Sequence, residues 1–156
     1  MPDLGAFTDA NLDKQGFSGL DKQAKARYQS ALRFTPGVGT SLIVAGLVLQ
    51  SPRWLAAMAL VALSGALLPG AMIIDVVYNL AVRHLFGAPA LPTTPKPRQF
   101  SYLFSTLLLA VSAVSFAGGL PALGFVTGGV VVLGGTMLTA TLWCLGSWFY
   151  RLILGR

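Results

Sequence analysis

From Phe100 to Tyr150 the chain runs for fifty-one residues without one Asp, Glu, Lys, Arg or His. A single helix of that length would be about twice as long as the roughly 30 Å hydrocarbon core of a bilayer is thick, so the stretch must cross and return. Gly118-Gly119-Leu120-Pro121 marks the return, because two residues with no helix preference precede one that cannot continue a helix. The stretch predicts a membrane hairpin, with spans over about residues 100–118 and 122–150.

Composition extends this reading to the whole chain. Of 156 residues, 54% are apolar and only 10% charged, with a mean hydropathy of +0.70, which lies outside the globular range and inside the membrane class. Asp3 and Asp9 precede any apolar run, which begins only at residue 34, so the start does not resemble a cleaved secretory signal and the first span is expected to stay. The net charge of +6 comes from Lys and Arg at span ends and in loops, where they orient a membrane protein, so nucleic acid is not an expected partner. One cysteine, one histidine and no glutamate leave no intrachain disulfide and no expected metal cage.

Residues 1–17 are polar without a sustained period and predict a loosely ordered arm. Ser18 and Asp21 have helix-start spacing, and Leu20, Ala24, Tyr28, Ala31 and Leu32 then share a thin apolar face, so residues 1–33 read as an arm ending in an amphipathic interfacial helix. The remaining residues, 34–156, read as a transmembrane domain. Its first span covers about 34–52, with Pro36 in the opening turn, and its second covers about 54–74, with a kink expected at Pro69. A helical stripe of Asp75, Asn79 and Arg83 follows, and then a proline-rich strap over 87–98. Span three carries a hydroxyl stripe of Ser101, Ser105, Ser112 and Ser115. Span four carries Gly124, Gly128, Gly135 and Thr139 at close-approach spacing.

The expected fold class is all-α and integral to the membrane, with four spans in two hairpins. The arm, the Asp75–Arg98 connection and the C-terminus share one side and hold five, three and two Lys or Arg, against Arg53 alone on the other. That asymmetry predicts a multi-pass protein with both termini cytoplasmic.

Chemistry-bearing residues are few. Cys144 lies near the end of span four with Arg151 as its only local cation, so it reads first as a small packing residue and second as a reactive thiol. Asp75, with Asn79 and Arg83, reads as a structural polar cluster at the span-two exit, with Arg83 or Arg33 the expected partner of its carboxylate. His84 reads as a headgroup-level residue.

The run Asp75-x3-Asn79-x3-Arg83, the segments Gly87-Ala-Pro-x-Leu-Pro92 and Pro95-x-Pro-Arg98-x-Phe100, and the ending Cys144-x-Gly146-Ser147-x-x-Tyr150 resemble a family of small bacterial membrane proteins of unknown function. The resemblance covers about residues 27–153. In that family the last helix ends Phe-Cys-x-Gly-Cys-x-x-Tyr. Trp143 takes the Phe position here, and Ser147 takes that of the second cysteine. The resemblance implies a bacterial inner-membrane location, and the Ser147 difference means that this chain alone cannot form the dithiol.

Three functions compete. The leading expectation is a non-catalytic accessory or stabilising subunit of a larger membrane complex, since reactive constellations are absent and small-residue stripes offer contact surface. The second is a thiol-redox or sulfur-handling protein acting through Cys144 on a partner thiol or small thiol compound. The third is a small-molecule transporter, which would need polar groups near the midplane. No cofactor is specified, although a lipid, quinone or pigment between the helices fits the first reading. The expected partners are membrane lipids and an integral-membrane protein.

Overall fold

The computed structural model describes residues 4–155, and among these every regular element is a helix. In chain order they are α1 (Ala6–Leu12), α2 (Lys22–Val48), α3 (Pro52–Leu67), α4 (Ile73–Val77), α5 (Arg83–Phe86), α6 (Lys96–Ala117), α7 (Pro121–Thr141) and α8 (Leu145–Leu154). A wide π turn, Tyr78–Val82, joins α4 to α5. Three helices, α2, α6 and α7, are long and apolar enough to cross a membrane. Large apolar side chains such as Val48, Leu60, Leu107, Val114 and Leu133 are exposed on the outer faces of the helices.

Asp21 starts α2 by accepting the Ala24 N–H at 2.7 Å. The helix then runs unbroken to Val48, so the lead-in helix expected before residue 34 is the first part of one 27-residue helix. Pro36 lies inside it. A proline there cannot donate to the Leu32 carbonyl one turn back, and Arg98 of α6 supplies the donor instead, its Nη2 3.4 Å from that oxygen.

Pro69 ends span two where a kink was expected. Leu68 leaves the helical region (φ −122°, ψ 85°), which a following proline disfavours, and α3 stops at Leu67 after 16 residues. The second expected span is thus an apolar helix of about 24 Å, shorter than a bilayer core, followed by a five-residue break. Two external contacts hold the break: Thr94 of the strap donates to the Pro69 carbonyl at 2.8 Å, and the Ser64 hydroxyl accepts the Ile73 N–H at 3.2 Å.

The turn between α6 and α7 falls at Gly118–Leu120, with Gly119 at φ +76°. The expected final helix over 122–150 is not continuous. It breaks at Leu142, which takes a left-handed conformation (φ 54°, ψ 25°) while fully buried, and the chain restarts at Cys144 as α8.

Helix α6 is central, packing on α3, α7 and α8, while α2 packs mainly on α7. The most extensive packing, α3 on α6, therefore joins different hairpins. The small residues explain the close approaches. Gly124 abuts Phe116, Gly128 abuts Leu47 and Ser112, Gly135 abuts Thr40, and Gly37 abuts Thr139. Ile43, Leu47, Leu55, Met58 and Leu109 form the core between these helices.

A second core corrects the expectation of a loosely ordered arm. Leu4, Leu12 and Phe17 are buried against Leu32 and Leu142, so residues 4–17 fold back over the open end of the bundle. Lys25 of α2 fastens them, its Nζ lying 2.6 Å from both Asp9 and Asp13. Gly16, at φ +99°, packs so closely on Pro95 of the strap that a β-carbon would collide. Residues 1–3, where the expected arm begins, lie outside the described part.

Candidate functional site

The broken helices all break at the same end of the bundle, and the polar side chains gather there. When α7 stops at Thr141 its last carbonyls lose their helical donors. The arm replaces them. Asn11 Nδ2 donates to the Thr141 carbonyl at 3.0 Å and Gln15 Nε2 to the Leu142 carbonyl at 2.5 Å, a pair one turn apart on one face of the arm. The break between α7 and α8 is therefore a built feature, stabilised from residues about 130 positions away.

Cys144 is the residue on which the chain turns into α8. Its carbonyl accepts the Trp148 N–H at 3.0 Å, and its thiol donates to the Ser101 hydroxyl of α6 at 3.2 Å. Gly146 makes this approach feasible, since a β-carbon there would run into Ser101. Phe100 on Tyr150 and Phe104 on Phe149, at centroid distances of 5.7 and 6.1 Å, hold α8 along α6.

One turn before Tyr102 on α6 lies Arg98, a cation only 4% exposed. Its guanidinium stands 6.0 Å from the Tyr102 ring centroid. Its Nε and the Tyr102 hydroxyl have no hydrogen-bond partner within the chain. Asp75 is held by a hydrogen bond from the Thr35 hydroxyl of α2.

Cys144 borders two cavities. One, of about 100 Å³, is mainly apolar and lies between the helices, with Thr35, Ser101, Tyr102 and Ser105 among its walls. The other, of about 380 Å³, lies between the arm and α8 and is lined by Asn11, Lys14, Gln15, Ser147 and Arg151 together with Trp143 and Trp148. At 5% exposure the thiol is buried, yet it lies between an apolar space and a cationic one.

The Asp75, Asn79, Arg83 stripe does not close on itself. Asp75 takes Thr35 as its partner, not Arg83 or Arg33; Asn79 Oδ1 accepts the Leu91 N–H at 2.8 Å and so pins the strap; and Arg83 Nε donates to the Asn79 carbonyl at 2.7 Å. Beside them Tyr78 stacks at 5.0 Å on Phe34, and burial raises its phenol above the ordinary value against the pull of Arg83. His84 is exposed on α5. Ser112 of α6 donates to the Gly124 carbonyl of α7 at 2.7 Å, while Thr139 donates within its own helix to Gly135 at 2.8 Å. Among the described residues no three His, Cys, Asp or Glu side chains come together as a metal site would need.

Sequence reasoning picked out Cys144 but not Asn11, Lys14 and Gln15, and it named Ser101 only as part of a hydroxyl stripe, without linking it to the thiol. The spacing of Asn11 and Gln15, four residues apart on one helical face, was the available signal.

These features define the class, an all-helical chain with three helices fit to cross a membrane and a buried thiol at a helix break. The chain belongs to the family described as Domain of unknown function (DUF4395), which matches residues 29–154. No curated protein and no solved structure matches it. The match begins after the arm, so Asn11, Lys14, Gln15 and Lys25 lie outside the matched region.

Proposed function

We propose that the protein is a multi-pass component of the bacterial cytoplasmic membrane that carries out thiol–disulfide exchange at Cys144. In this reading residues 54–74 make the fourth crossing, and the ten-to-one bias of Lys and Arg supports a cytoplasmic side for both termini and the Cys144 end. The observation that carries the reading is the placement of the thiol at the start of α8, against the Ser101 hydroxyl and bordering both cavities. The start of a helix favours negative charge, and the Ser101 hydroxyl can turn to donate to a thiolate.

The exchange is balanced without another cofactor. The Cys144 sulfur attacks one sulfur of a partner disulfide, a mixed disulfide forms, and the second partner sulfur leaves as a thiolate. Ser147 stands where a resolving cysteine would serve, so the resolving thiol comes from another molecule. Mass spectrometry of the protein from native membranes, taken without reductant after acid quenching, tests this. A disulfide adduct confined to Cys144 is expected. Absence of any adduct, with a Cys144→Ser protein retaining its full cellular role, contradicts the reading.

The accessory-subunit reading stands second. Its main sequence motive, the small-residue stripes, is largely consumed by contacts inside the bundle, but Gly129 and Gly134 of α7 face open space and favour close approach by another helix. Native-gel separation in mild detergent tests it, and migration without a stoichiometric partner counts against it.

A further inference from the structure

The cavity between the arm and α8 has the chemistry of a binding site in its own right. Two polar side chains in its wall are buried and incompletely bonded. Gln15 is 0% exposed and its Oε1 has no partner, while Ser147 is 1% exposed and its Oγ has none. Leaving such atoms unpaired is costly, which marks this wall as one not optimised for packing alone. Lys14 and Arg151 add two cations to the wall, and no acidic side chain lines it among the described residues. The nearest carboxylates of the arm, Asp9 and Asp13, are engaged by Lys25. A volume of about 380 Å³ is within the range of small-molecule sites.

We infer that this cavity binds a small acidic disulfide, a carboxylate-bearing molecule with one half of about tripeptide size, and presents its sulfur to Cys144. The inference rests on the thiol reading above and supplies its substrate class. Lys14 and Arg151, which line the cavity, take the carboxylates. In the covalent step the Cys144 sulfur, having lost its proton to solvent, bonds one sulfur of the ligand disulfide. The other sulfur departs as a thiolate with the electron pair of the broken bond.

The test compares modification of Cys144 in the folded, full-length protein by three methanethiosulfonates: neutral methyl, anionic sulfonatoethyl and cationic trimethylammonioethyl. Each rate is divided by that for the denatured chain. The anionic reagent is expected to exceed the cationic one by about tenfold, and the K14E/R151E protein to lose that preference. A Lys22→Glu protein, altered at an exposed position outside the cavity, should keep it. A second measurement needs no variant: S-methylglutathione, which fills the site but has no free thiol, should slow the neutral reagent on the wild-type protein. Equal normalised rates for all three reagents, with no protection, overturn the inference and leave Cys144 a reactive thiol. Failure of every reagent to modify the folded protein overturns both.

Discussion

Gln15 donates its side-chain N–H to the carbonyl of Leu142 at 2.5 Å, joining the arm to the break between α7 and α8. The carbonyl is free because Leu142 turns left-handed and ends the helix. Replacing Gln15 by Leu removes the donor while keeping bulk, so a buried acceptor is left unpaired at a cost of about 1–3 kcal/mol. The arm should loosen, and trypsin should cut after Lys14 several-fold faster in membrane-embedded protein. An unchanged digestion rate would show that the arm is held by Leu4, Leu12 and Phe17 alone.

Arg98 and Pro36 form a testable pair, because the arginine reaches the carbonyl that the proline cannot bond. Arg98→Met should lower the unfolding midpoint in detergent, and Pro36→Ala in the same chain should restore part of the loss by returning a helical N–H to Leu32. A double-mutant cycle should give a coupling of about 0.5–3 kcal/mol. Zero coupling would mean that Arg98 is buried for another reason.

Ser101 is the hydroxyl nearest the thiol. A hydrogen bond to a charged group contributes about 1.5–3 kcal/mol, so Ser101→Ala should slow alkylation of Cys144 by roughly tenfold or more at fixed pH. Unchanged alkylation kinetics would remove Ser101 from the account.

Gly16→Ala combines a left-handed backbone with a collision against Pro95. A cost of at least about 1–2 kcal/mol is expected from the backbone alone, read as a lower thermal midpoint and earlier proteolysis of the arm. A midpoint equal to that of the parent would contradict the packing of arm on strap.

The parts of the fold legible in the sequence are those set by local chemistry. The α6–α7 hairpin follows from an uncharged run interrupted by Gly118, Gly119 and Pro121, and the close helix contacts follow from Gly124, Gly128 and Gly135. The break at Leu142 was not legible, since Thr141-Leu142-Trp143 holds neither glycine nor proline and the groups that stabilise it are Asn11 and Gln15. The end of α3 was half legible. Pro69 announced a disturbance, but whether a proline kinks or ends a helix depends on outside donors, here Thr94 from the strap. The order of the arm escaped for a related reason. Leu4, Leu12 and Phe17 show no helical period because they pack into a core completed by Leu32 and Leu142. Cys144 drew attention as the single thiol, whereas its hydroxyl partner lies 43 residues away on another helix.

The most direct test of the central claim is the rate at which N-ethylmaleimide alkylates Cys144 in native membranes, compared with the same chain denatured. A thiol assisted by Ser101 and reached through the arm-side cavity should react at least as fast folded as unfolded, despite its burial. A cysteine that reacts only after denaturation would be a packing residue, and the thiol account of this protein would be wrong.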